Sequence, residues 1–188
     1  GDKIIITNDK GDIIVYSISS KSITLKFNFY KKKFKNIKKK LSLTIDNKIL
    51  YVNDNIGYIY ALDYNKKKIL WAKDFKIPFR SNLKVFNNKI ITSDTNNVLY
   101  LVNKLNGERL RSIPTEENPL KSNFSNSLAL NDQFLFFLNT YGSIYSTNYN
   151  GNARWFLNVN RSSSLKTNLF NSNPIIIHND KIIISTDN

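Results

Sequence analysis

The sequence predicts an all-β fold built from repeated antiparallel sheets, and three observations predict it. One composite pattern recurs along the 188 residues at a period of roughly 40 to 50, the range of a repeat made of several short strands. Within each copy the apolar residues come in short runs rich in Ile, Val, Leu, Tyr and Phe, bounded by Asn, Asp, Gly and Lys, which is how strands and tight turns read. No stretch sustains apolar residues at i, i+3, i+4, i+7, so helices should be scarce.

Taken in order, the first copy opens at Asp2-Lys3-Ile4-Ile5-Ile6, passes Gly11 and Ile14-Val15-Tyr16, and ends near Phe27. The clearest copy runs Asn47-Lys48-Ile49-Leu50-Tyr51-Val52, turns at Asn55-Ile56-Gly57, continues Tyr58-Ile59-Tyr60-Ala61-Leu62-Asp63 and closes on Lys68-Ile69-Leu70-Trp71. A third begins Asn88-Lys89-Ile90-Ile91 and ends at Leu110-Arg111, and a fourth runs from Asp132-Gln133 to Arg154-Trp155. A fifth start lies at Asp180-Lys181-Ile182. Tyr16, Tyr60, Tyr100 and Tyr145 mark the copies at intervals of 44, 40 and 45. Asp46-Asn47, Asn87-Asn88, Asn131-Asp132 and Asn179-Asp180 suit hairpin tips, because Asn and Asp tolerate positive φ. A second turn carries Gly11, Gly57 and Gly142, and a third carries Gly107 and Gly151. Three turns separate four strands, and four antiparallel strands make one β-propeller blade. The expected organisation is a single propeller segment over 1–188, with blades near 1–30, 41–78, 82–114 and 127–160 and a partial one at 173–188.

Trp71 and Trp155 lie 23 and 22 positions after Lys48 and Gln133, and therefore occupy the same place in two units. A large ring recurring at one strand position suits packing between adjacent sheets, burying roughly 150–250 Å². Arg111 and Phe27 are expected at that place in the other copies.

At Ala61-Leu62-Asp63, Lys68 and Trp71 the chain resembles the pyrroloquinoline-quinone-like β-propeller repeat, whose pattern is Ala-x-Asp-x-x-Thr-Gly-Lys-x-x-Trp. Lys66 and Lys67 stand where that pattern has Thr-Gly, and Arg111 replaces Trp in the next copy. The resemblance spans the chain at the level of repeats and implies seven or eight blades, so four would be part of a ring; a complete four-bladed ring is the other expectation. It also implies two functional branches. Quinone-dependent dehydrogenases hold a quinone and Ca²⁺ near the propeller axis. Non-catalytic periplasmic propellers include the lipoprotein subunit of the outer-membrane β-barrel assembly machinery, which the bare repeats resemble more. That branch implies a non-enzymatic scaffold without cofactor, partner proteins within the assembly machinery, and a periplasmic location with any lipid anchor outside this segment. A ligand-sensing propeller domain of a membrane-attached sensor is a third reading.

The net charge of +14 invites a nucleic-acid reading. Asn is roughly one residue in six and Lys far outnumbers Arg, a bias that AT-rich codon usage spreads over a whole surface. Only five Arg occur, dispersed along the chain, whereas base readout wants Arg at base edges and aromatics for stacking; nucleic acid is not an expected partner. The exception to the spread is Lys31–Lys40, where Lys32, Phe34 and Lys38 are candidate contacts for an acidic partner surface or phosphate. Glu116 and Glu117, between Pro114 and Pro119, are the candidate contacts of a second connecting loop. No apolar run reaches the roughly 20 residues of a membrane span.

Reactive chemistry is hard to assemble from these residues. The chain has one His, His178, and no Cys, which leaves no Cys-His pair and no zinc cluster. Neither Gly-x-Ser-x-Gly nor a Gly-rich phosphate loop occurs, so no catalytic, cofactor or metal residue is assigned. Adjacent carboxylates such as Glu116 and Glu117 point to opposite sides of an extended segment, poor geometry for paired acid–base work.

Overall fold

The computed structural model describes residues 2–117, 122–160, 169–179 and 181–185. These residues form seventeen β-strands and a single 3₁₀ turn at Lys32–Phe34. The chain divides into two compact units, Gly1–Pro78 and Phe79–Asn188.

In the first unit, β1 (Lys3–Thr7), β2 (Asp12–Ser17) and β3 (Ser22–Asn28) pair antiparallel in that order. A four-stranded sheet follows in simple up-and-down order: β4 (Leu41–Asp46), β5 (Ile49–Asp54), β6 (Tyr58–Asp63) and β7 (Lys68–Asp74). Strand alternation gives each sheet two faces. Ile13, Val15 and Leu25 from one sheet meet Leu50, Val52, Tyr60 and Leu62 from the other in a buried cluster. Each such side chain contributes about 1.5–3 kcal/mol by leaving water.

The second unit repeats the plan twice. One sheet holds β8 (Lys84–Phe86), β9 (Lys89–Ser93), β10 (Leu99–Asn103) and β11 (Arg109–Ile113). The next holds β12 (Ser127–Leu130), β13 (Leu135–Leu138), β14 (Ser143–Thr147) and β15 (Ala153–Asn158). A hairpin of β16 (Ile176–His178) and β17 (Lys181–Ile183) completes it. Ile91, Leu99 and Leu101 pack against Leu128, Leu135 and Phe137. The opposite face of β12–β15, through Ala129, Phe136, Leu138 and Ile144, meets Ile175 and the half-buried Ile177 and Ile182. The last strands β7, β11 and β15 are largely exposed. Lys68, Lys73, Arg109, Arg111 and Arg154 lie on them, and such charges discourage edge-to-edge association.

One irregularity fixes the alignment of the repeats. The last two strands of every blade shift register at one place: after Val15, Ala61, Leu101 and Ser146. A β-bulge accounts for each shift. Counting from the bulge, Tyr60, Tyr100 and Tyr145 are equivalent, but their counterpart in the first blade is Ile14. Tyr16 therefore stands two residues out of the expected place, opposite Ile4 and Ile23. The partner of the pre-bulge residue is Trp71, Trp155, Arg111 and, in the first blade, Leu25; Phe27, expected there, pairs with Ile13 instead.

The two Trp rings differ in exposure. Trp71 is half-buried, its ring 6.3 Å from that of Tyr51. Trp155 lies 6.1 Å from the equivalent ring, Phe136, yet remains 44% exposed. It lines a cavity of about 310 Å³ with Ile177 and Ile182.

The turns follow their chemistry. Asn47, Lys48, Asn87 and Asn179 have positive φ at hairpin tips, whereas at Asn131 the side-chain oxygen accepts from the N–H groups of Gln133 and Phe134. At the third turn Lys67 adopts φ 54°, where the second unit uses Gly107 and Gly151. Gly57, at φ 115°, has the least freedom to change, since a Cβ there would lie 3.0 Å from the backbone N and O of Ile77. Gly57→Ala is expected to lower stability by about 1–2 kcal/mol through backbone strain. Urea unfolding followed by Trp71 fluorescence in a Trp155→Phe background checks this, and an unchanged midpoint contradicts it.

Candidate functional site

The connections that carry the chain from the last strand of one blade to the first strand of the next hold the candidate contact residues. Both are fastened to the turn between the second and third strands of the following blade. Those turns share one device: Asn8, Asp54, Asp94 and Asn139 each close the turn with Oδ1. Asp54 accepts from Ile56, Gly57 and Tyr58, and Asp94 from Asn96 and Val98. Asn8 and Asn139 accept from the residues two and four places on. Short polar side chains that bond their own backbone favour such turns over continued strand.

In the first unit the connection over residues 29–40 contributes Tyr30, whose hydroxyl donates to Asp54 Oδ2 at 2.6 Å. Burial, with the Asp54 and Tyr60 groups adding to it, pushes the Tyr30 phenol well above its usual range, so it keeps the proton that it donates to Asp54. Phe29 stacks on Tyr60 with centroids 4.5 Å apart. Phe34 is half-buried, its ring edge-on to Tyr58 at 5.9 Å and to Tyr30 at 6.3 Å. Lys32, Lys38 and Ile37 are exposed. The structure thus separates the candidates: Lys32 and Lys38 face solvent, whereas Phe34 anchors the connection, and the exposed apolar group is Ile37.

The corresponding connection of the second unit uses the opposite polarity. The carboxylate belongs to the connection: Glu116 Oε2 accepts from Tyr145 at 2.6 Å and Asn139 at 2.9 Å, and Oε1 from Ser143 at 2.8 Å. Burial alone would raise the Glu116 pKa, but these bonds together hold the carboxyl below its usual range. Tyr145, largely through burial and then through Glu116, is pushed up. Glu116 is therefore a staple within the unit, and Glu117 is the exposed member of the pair. Beneath it, Arg80 donates to Asn97 Oδ1 and Thr140 Oγ1, both at 2.9 Å, and its buried Nε has no partner. Tyr100 donates to Asp94 at 2.8 Å, and burial raises the Asp94 pKa. Sequence reasoning missed Tyr30, Arg80 and Asp94. Tyr30 and Arg80 act through bonds to residues 17 to 60 places away, which no local pattern encodes, whereas Asp94 bonds residues two to six places on and could be read from its turn.

Among the described residues no three His, Cys, Asp or Glu side chains converge as metal ligands. His178 is exposed on β16. No helix among the described residues is long and apolar enough to cross a membrane.

Blades of this construction match one known family. A family model described as outer membrane protein assembly factor BamB covers residues 31–188. The chain belongs to the BamB family. Among solved structures, BamB from Moraxella catarrhalis superposes with a TM-score of 0.80 at 12% identity over 99% of this chain. The chain spans 56% of that protein's length. The computationally designed Ika8 protein matches with a TM-score of 0.63 at 9% identity, covering 99% of this chain and 65% of that one. Raptor from Chaetomium thermophilum gives 0.65 at 11% identity, over 84% of this chain and 15% of that one. At these identities the likeness is one of fold. No curated protein sequence matches the chain.

Proposed function

We propose that this chain is a non-catalytic propeller scaffold that binds partner proteins of outer-membrane assembly on the periplasmic side of that membrane. The observation that carries this reading is the BamB family match over residues 31–188. Fold alone does not fix function, so the reading also rests on how the connections are built. Each is pinned to a turn of the next blade by part-buried polar bonds and holds charged side chains outward: Lys32 and Lys38 in one unit, Glu117 in the other. Pre-ordered loops lose little freedom on docking, which favours binding. Exposed rim charges act mostly on encounter rate and salt dependence.

The test is capture of outer-membrane assembly subunits by the full-length protein. The Lys32→Glu, Lys38→Glu, Glu117→Lys variant is expected to retain at least about tenfold less partner than wild type, equivalent to ~1.4 kcal/mol. Undiminished capture by that variant would overturn the assignment of these connections.

A further inference from the structure

The first unit contains a cavity of about 450 Å³ between the β1–β2 turn and the connection from β3 to β4. Five lysines line it: Lys10 from the turn and Lys31, Lys32, Lys35 and Lys39 from the connection. We infer that this cavity binds a compact phosphate-bearing group, held by the five ammonium groups.

Four observations carry the inference. First, the charge is gathered and uncompensated. The one carboxylate in the lining is Asp12, which already accepts from Asn8 at 3.0 Å and Asn28 at 2.9 Å and pairs with Lys26 at 3.6 Å. Lys10, Lys31, Lys32 and Lys35 have no carboxylate partner among the described residues. Second, one of the cations is built into the wall. Lys39 is only 6% exposed, donates to the carbonyl oxygen of Phe34 and lies 5.4 Å from the centroid of the Tyr30 ring. A buried ammonium normally has an anionic partner, and here its partners are a carbonyl and a ring face. Third, the walls are fixed. Gly11 is packed so closely on Tyr30 that a Cβ would fall 2.5 Å from the ring, and Tyr30 is itself bonded to Asp54. Fourth, the size selects the ligand. The volume is in the range of small-molecule sites, large enough for a diphosphate or a sugar phosphate and too small for a duplex. Lysine suits such a ligand as a set of mobile point charges on flexible stems.

Codon bias scatters lysines; it does not explain five around one cavity with one of them buried. Relief of mutual repulsion among the five adds to the attraction for a multivalent oxyanion, and low-dielectric walls focus that field.

The phosphate could be free or carried on a lipid headgroup, and two arms separate these sources. In the first, inorganic pyrophosphate is titrated calorimetrically into the full-length protein at low salt. Saturable binding is expected, weakening steeply with added NaCl. The Lys10→Gln, Lys35→Gln variant should bind at least about tenfold more weakly. In the second arm, co-sedimentation with phosphatidylglycerol vesicles and not with phosphatidylcholine vesicles would assign the headgroup as the source; pyrophosphate binding without co-sedimentation would assign a free phosphate. Neither Lys10 nor Lys35 belongs to the proposed partner contacts, so partner capture by this variant should equal that of wild type. The inference is overturned if neither pyrophosphate nor anionic vesicles bind, or if Lys10→Gln, Lys35→Gln binds as wild type does. Circular dichroism of the variant confirms that any loss is not one of folding.

Discussion

Phe137→Ala is expected to destabilise the second unit by about 3–5 kcal/mol, the range for removing a buried phenyl ring from a core that cannot close around the hole. Phe137 has no exposed surface and lies in the middle of β13, opposite Leu128 on β12 and Tyr145 on β14. It shares one buried cluster with Ile91, Leu99 and Leu101 of the neighbouring sheet, so the packing of both sheets is loosened at once. Backbone pairing on either side of Phe137 stops the sheets from collapsing into the space. Phe156, 65% exposed on β15, is the contrasting site; Phe156→Ala should cost about 1 kcal/mol, mainly its stacking on Tyr145 at 5.7 Å. Urea unfolding read by Trp155 fluorescence in a Trp71→Phe background isolates this unit. A Phe137→Ala midpoint within about 1 kcal/mol of the parent would mean that the sheets do not share this core.

Much of this architecture is written locally. Alternating apolar runs and Asn, Asp and Gly turns specify strand, turn, strand without reference to distant residues, which is why the blades are legible at Asn47–Trp71 and again at Gln133–Trp155. Equivalence between blades is less local. Tyr16 satisfies a search for a recurring tyrosine, yet the bulge after Val15 assigns its role to Ile14. Spacing from the turn glycine carries the better signal, since Ile14, Tyr60 and Tyr145 each follow Gly11, Gly57 or Gly142 by three residues. Trp155 shows a second limit. Position in a strand predicts which face a ring joins, but not the extent of its burial, which differs between Trp71 and Trp155 at the same place in the blade.

The candidate site was legible in its charges and illegible in its bonds. Lys32, Lys38 and Glu117 are exposed, as charged residues in loops generally are. Phe34 and Glu116 turn inward because partners lie on strands of the next blade, Tyr58 for one and Tyr145 for the other. Asp54 and Glu116 make the point together: the same hydrogen-bonded junction is built with its carboxylate on the turn in one unit and on the connection in the other. Only the sum of the two sides is constrained, so neither side alone displays a pattern.

Glu116→Ala is expected to cost the second unit about 2–3 kcal/mol near neutral pH. The variant removes a charged acceptor and strands Tyr145, Ser143 and Asn139 as donors, and partial access of water to the junction keeps the figure below that of a fully buried charge. The charge can be tested separately from the bonds. Hydrogen bonds hold the folded-state pKa of Glu116 below the usual carboxylate range, so folding favours the ionised form. That stabilisation is complete above the unfolded pKa and is lost as pH falls through the folded one. Glu116→Gln cannot ionise and presents an amide donor to groups that already donate. Its deficit relative to wild type should be largest at about pH 7 and should narrow in acid, as pH falls through the lowered folded pKa and wild-type Glu116 also becomes neutral. Urea titrations in both conditions, read by Trp155, give the two differences directly. Equal deficits at both would show that the carboxylate acts by shape alone, and the staple would then be one of packing rather than charge.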